Sequence, residues 1–137
     1  MAAIVNTVCN NILDSLGPAG AAAAPTITGP LKCRLMTANG SGASAGTELG
    51  TAGGYTAAGS GIGTVTWNAA SANAKTNSVA VTQTNMPVAS LTGIELWDSA
   101  GTPIRVWFGP LTGQPIAVAA GNTFTLPVTT GLSLGLT

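Results

Sequence analysis

The stretch from Gly93 to Phe108 reads GIELWDSAGTPIRVWF, and it decides the fold. Two short runs rich in Ile, Leu, Val and aromatic residues, Gly93 to Trp97 and Ile104 to Phe108, flank Asp98-Ser99-Ala100-Gly101. β-prone runs separated by a Gly-containing turn predict an antiparallel hairpin. Side chains alternate between the two faces of a strand, so Ile104, Val106 and Phe108 are expected to face one way and Arg105 and Trp107 the other. Trp97 and Trp107 are opposite in phase to Leu96 and Val106, which predicts both indoles on one face of the hairpin. Glu95 then reads as a solvent-facing strand residue and Asp98 as a turn former.

Working outward, the same grammar repeats. Thr64 to Trp67, Ser78 to Thr82, Ile116 to Ala119, Thr123 to Leu126 and Leu132 to Leu136 are further short strand signals between Gly, Pro and Asn turns. On the N-terminal side, Leu31, Cys33 and Leu35 alternate with Lys32, Arg34 and Met36, which predicts a strand with one wet face. Seven or eight such strands define an all-β fold, an antiparallel sandwich or jelly-roll-like barrel. Between them, Asn39 to Gly61 is rich in Gly, Ala, Ser and Thr with Tyr55 its one aromatic. Such a length reads as a binding loop or as an irregular edge strand around Tyr55.

One helix precedes the strands. Val5, Val8, Ile12 and Leu16 recur at helical spacing with Ile4 and Leu13 beside them, which predicts a helix over 3–16 ended by Gly17 and Pro18. So short a helix must lay its apolar stripe on this domain's own sheet or on a neighbouring subunit. Residues 17–30, with Pro18, Pro25 and Pro30 among Gly and Ala, read as an extended linker. The organisation expected is an arm of helix and linker over 1–30 and a single β-sandwich domain over 31–137.

Composition narrows the function. Only 6% of the 137 residues are charged, four basic and four acidic with zero formal net charge, against an average of about 25%. A neutral, weakly charged surface favours self-association, which suits a subunit that works packed against its own copies. A sparsely charged secreted domain is the alternative. Lys32, Arg34, Lys75 and Arg105 are too few and scattered to follow a phosphate backbone, so no nucleic-acid partner is expected. No apolar run reaches the ~18 residues of a membrane span. With no basic residue before Lys32 and with Asn6, Asn10, Asn11 and Asp14 interrupting the first segment, no signal peptide is expected either. Cys9 and Cys33 then read as reduced thiols.

The chain has no histidine, which removes the usual general base, His-based triads and most zinc sites. Asp14, Glu48, Glu95 and Asp98 show no catalytic spacing. Gly40 to Gly46 matches neither the dinucleotide nor the Walker pattern and reads as a flexible surface loop. No enzymatic activity, cofactor, metal or small-molecule substrate is expected. Trp67, Trp97 and Trp107 could stack on sugars, or pack across strands or into a partner.

From Leu31 onward the chain resembles a group of small virion proteins of tailed bacteriophages, described as tail-fibre or minor structural proteins. The resemblance rests on ordered motifs: the Leu31 to Leu35 strand leading to Thr37-Ala38, then Gly46-Thr47-Glu48-Leu49, Gly53-Gly54-Tyr55-Thr56 and Val65-Thr66-Trp67 followed by Asn68-Ala69-Ala70. Ile94 to Gly101 is the most specific of them, followed by Phe108-Gly109-Pro110-Leu111-Thr112 and Val118 to Phe124. The stretch Thr82 to Leu91 departs from the pattern by being short. The resemblance implies no catalytic residues. It implies a virion location and, since fibre repeats and heptads are missing, a capsid decoration or cement subunit, a partner of the major capsid protein and of identical copies. A tail-fibre or tail-tip module contacting the host, and a carbohydrate-binding module, are the alternatives. Val5, Val8, Ile12, Leu16, Trp97 and Trp107 are the interface residues expected.

Overall fold

The computed structural model describes residues 3–15, 26–59, 61–71, 74–128 and 130–135. In chain order the elements are β1 (Ala3–Ile4), α1 (Asn6–Ser15), β2 (Lys32–Ala38), β3 (Thr47–Glu48), β4 (Ala74–Thr76) and β5 (Val81–Gln83). They continue with β6 (Ala89–Leu91), β7 (Gly93–Trp97), β8 (Arg105–Pro110), β9 (Ile116–Val118), β10 (Phe124–Leu126) and β11 (Ser133–Gly135). The protein is all-β with one short helix, an antiparallel sandwich whose sheets stay open.

The main layer is a five-stranded sheet ordered β1-β8-β7-β2-β3. The remaining strands pair as β6 with β9, β5 with β10 and β4 with β11. With the β7–β8 hairpin innermost, each pair encloses the one before it. This nesting is what one long antiparallel ribbon gives when it is folded across a sandwich, as in jelly rolls.

Between the layers lies the core. Cys33 and Leu35 of β2, Ile94 and Leu96 of β7 and Trp107 of β8 meet Val81, Leu91, Val118, Phe124 and Leu126 from the facing strands and Leu132 just before β11. Leu49, Tyr55, Ile62, Val65 and Met86 fill in from the connections.

Several expectations change. The first helical turn predicted at Ala3–Ile4 is instead strand, paired with Phe108 and Trp107 of β8, because an open sheet edge leaves backbone groups to be satisfied. The arm that the sequence sets apart over 1–30 therefore supplies an edge of the main sheet. Leu16 and most of the 17–30 linker lie outside the described residues. At the linker's end, Thr28 N–H donates to Asp98 Oδ2 at 3.3 Å and Thr28 C=O accepts from Ser99 N–H at 2.8 Å.

Of the strand expected over Ser78 to Thr82, only Val81 and Thr82 are strand, at the start of β5, while β4 ends before it at Thr76. Thr64 to Trp67 forms only isolated bridges, Lys32 with Thr64 and Trp67 with Asn77. The β6 strand, Ala89–Leu91, carries too little apolar pattern to be read from the sequence.

The hairpin phase also differs. Leu96 pairs with Trp107, yet the next pair is Trp97 with Arg105, so Val106 is an extra residue on β8. One inserted residue turns every side chain beyond it to the other face. Trp107 therefore enters the core while Trp97 lies on the opposite face, and Arg105 and Phe108 share that second face.

Finally, the wet face predicted for β2 is covered. Arg34 is 7% exposed and Met36 2%. Parts of the 39–59 segment cover this side of the sheet, Glu48 and Ala58 meeting Arg34 and Gly46 meeting Glu95.

Candidate functional site

The second face of the main sheet gathers most of the chain's charge. Across the strands Arg34 pairs with Glu95 and Glu95 with Phe108, while Lys32 pairs with Trp97 and Trp97 with Arg105. Glu95 is not the solvent-facing residue expected; it is 1% exposed. A carboxylate so buried needs every lone pair occupied. Its Oε1 accepts from Arg105 Nη1 and from Gly46 N–H, both at 2.8 Å, and Oε2 accepts from the Trp97 indole N–H at 3.1 Å.

Arg105 uses its remaining donors on the loop above. Nη1 reaches Ser44 C=O at 2.7 Å and Nη2 reaches Ser41 C=O at 2.6 Å, while the guanidinium lies 5.3 Å from the Phe108 ring centroid. Asn6 N–H donates to Gly42 C=O at 3.0 Å, so the start of α1 hangs on the same loop. The Gly40 to Gly46 loop is thus clamped at three carbonyls and one amide. Glycine is required at 40, because a Cβ there would collide with Glu95 Oε1 and stand 2.6 Å from Arg105 Nη1.

A second ion pair sits beside the first. Arg34 Nη1 meets Glu48 Oε2 at 3.4 Å, its Nη2 donates to Ala58 C=O at 3.3 Å, and its guanidinium stacks 4.4 Å from the Trp97 centroid. Cation–π stacking of this kind suits the weakly hydrated Arg. Its Nε is buried without a hydrogen-bond partner among the described residues. Glu48 Oε1 accepts from the Tyr55 hydroxyl at 2.8 Å, and that hydroxyl oxygen accepts from Leu35 N–H at 3.0 Å. Ala58 N–H also donates to Glu48 Oε1 at 3.0 Å, from a left-handed backbone with φ of 55°. Burial drives the Tyr55 phenol far above its ordinary range, with the Glu48 carboxylate pushing the same way and the Leu35 amide opposing. Cys33 is fully buried, and desolvation pushes its thiol up to about 12.

Asp98, 1% exposed, is the turn former expected, its Oδ1 accepting from Ile104 N–H at 2.8 Å and from Ala100 N–H at 3.4 Å. Five of the eight charged residues, Arg34, Glu48, Glu95, Asp98 and Arg105, are therefore occupied within the fold. Lys75 is exposed and Lys32 half-buried.

The six predicted interface residues do not form one exposed surface. Val5 and Val8 are 4% and 3% exposed, which removes them from the free surface. Together with Trp97, Ile104, Arg105 and the Gly42, Ala43 and Ala45 backbone region they line an open cavity of about 360 Å³. Trp107 lies on the far side of the sheet, 5% exposed in the core. Neither Ile12 nor Leu16 has a described side chain. The indoles therefore make no shared stacking platform for a sugar.

Sequence reasoning missed the Glu95–Arg105 and Arg34–Glu48 pairs. For the first, the available signal was acid and base placed on adjacent arms of an apolar hairpin, which is informative only once the Val106 bulge fixes the register, whereas the second joins β2 to β3 across a loop and had no local signal. Among the described residues no three His, Cys, Asp or Glu side chains group as a metal site. No known family model matches the chain, and no curated protein matches it.

Proposed function

We propose that this chain is a non-enzymatic structural protein of a virion, a subunit that decorates or cements the capsid of a tailed bacteriophage by contact with the major capsid protein and with its own copies. The observation that carries the reading is the inward turn of the charge. Arg34, Glu48, Glu95, Asp98 and Arg105 are engaged in the fold, and apolar side chains including Val88 at 77%, Val79 at 56% and Val128 at 44% exposed remain outside. Contacts between such surfaces bury apolar area without stripping water from ions. The motif order from Leu31 onward supports the same assignment.

Counting copies per purified particle by quantitative mass spectrometry tests it. Hundreds of copies are expected for a decorating subunit. A handful would move the protein to the tail, and none would remove it from the virion. Loading of purified protein onto undecorated capsids is expected to be saturable and nearly unchanged between low and high salt, because screening acts on charges that this surface mostly lacks.

A further inference from the structure

The chain carries nine asparagines, and only Asn39 is followed by glycine. An Asn side chain loses its amide when the next residue's backbone nitrogen attacks Cγ, and a β-carbon on that next residue obstructs the approach. Asn39 is exposed and lies just beyond the end of β2. Its Nδ2 makes one exposed hydrogen bond, to Gln114 Oε1 at 2.8 Å, a tie worth only about 1 kcal/mol. Gly40 N–H donates to no acceptor among the described residues. Asn77 is the contrast: fully buried, it has its Nδ2 committed to the carbonyls of Val79 and Pro127 and is followed by Ser78. The glycine at 40 is dictated by the Glu95–Arg105 pair, whose atoms occupy the place of a Cβ.

We infer that Asn39-Gly40 is a self-modification site, converting in the folded protein to aspartate and isoaspartate. Gly40 N forms a bond to Asn39 Cγ and gives up its proton as the side-chain amide leaves as ammonia, closing a five-membered succinimide. Water then opens either carbonyl, giving an ordinary aspartate at this position or an isoaspartyl link that passes the main chain through Cγ. No oxidant, reductant or cofactor takes part. The isoaspartyl product lengthens the backbone by one carbon beside the wedged Gly40, so it loosens the loop that Arg105 and Glu95 clamp.

Incubating the intact protein at pH 7 and pH 9, then peptide mapping from Leu35 through Asn122 with isoaspartyl methyltransferase labelling, tests the site. The acid products are expected at position 39 well ahead of Asn68, Asn77, Asn85 and Asn122, faster at the higher pH, and absent from Asn39→Gln. The urea-unfolded protein serves as the reference. Conversion of position 39 only after unfolding, or in neither state, would overturn the inference, as would equal conversion at all five asparagines in the folded protein.

Discussion

On one side of the main sheet, Cys33, Leu35, Ile94, Leu96 and Trp107 meet the facing strands through apolar contact alone, while on the other Arg34, Glu95, Trp97, Arg105 and Phe108 are joined by ion pairs, stacking and backbone clamps. On the second side Arg34 and Glu95 are buried while Trp97, Arg105 and Phe108 are half-buried, and β2, β7 and β8 furnish both sides. The first tolerates exchange of one hydrocarbon for another of similar volume. The second is sensitive to loss of one partner wherever that leaves the buried Glu95 or Arg34 unsatisfied. What holds the Gly40 to Gly46 loop and the start of α1 is therefore polar geometry, whereas what holds the two layers together is apolar area.

The sharpest way to break that contrast is Glu95→Ala. It leaves Arg105 buried without its carboxylate, and a loss of about 3–5 kcal/mol is expected in urea denaturation. Replacing both members, Glu95→Met with Arg105→Leu, is expected to recover much of that loss. A double variant as unstable as the single one would show the clamps on Ser41 and Ser44 to matter more than the pair. On the apolar side, Leu96→Ala is expected to cost about 2–5 kcal/mol, depending on how far the core relaxes, with no rescue by a second small residue.

A smaller effect comes with alkali. The unfolded Cys33 thiol ionises near its ordinary 9.0, while in the folded state it keeps its proton up to about 12. Between those values the unfolded state binds fewer protons, so stability falls as pH rises. The Tyr55 phenol, also raised, acts in the same direction. The denaturation midpoint should therefore decline above pH 9.0, and less steeply in Cys33→Val. The smallest effect expected is a gain: Ala58→Gly relieves a left-handed backbone that costs a non-glycine residue about 1–2 kcal/mol, less the extra backbone entropy that glycine loses on folding. A rise in melting temperature measures it, and a fall would mean that the Ala58 methyl packs usefully.

The strands that could be read from the sequence were those with strict alternation, above all Gly93 to Trp97, whose bounds the structure reproduces. The pairs that assemble the second face were not legible. Alternation gives which residues share a face of one strand, but the Val106 bulge decides which residues of β7 and β8 meet. Reading Arg34 and Met36 as wet failed for a related reason, since the cover above them comes from a loop whose Gly, Ala and Ser carry no periodic signal. Tyr55 was noticed as the loop's one aromatic, yet its hydroxyl's reach to Glu48 and to the Leu35 amide is a tertiary fact that no local pattern encodes.

The inward turn of the charge has a thermal consequence. Groups that hold counter-ions are scarce on the outside, so contacts made by this surface are controlled by the release of water from methyl and methylene groups. Such release carries a negative heat capacity, and its contribution weakens on cooling. Assemblies built from this surface should therefore loosen in the cold and tighten on gentle warming, with temperature as the setting that governs how firmly neighbouring molecules hold.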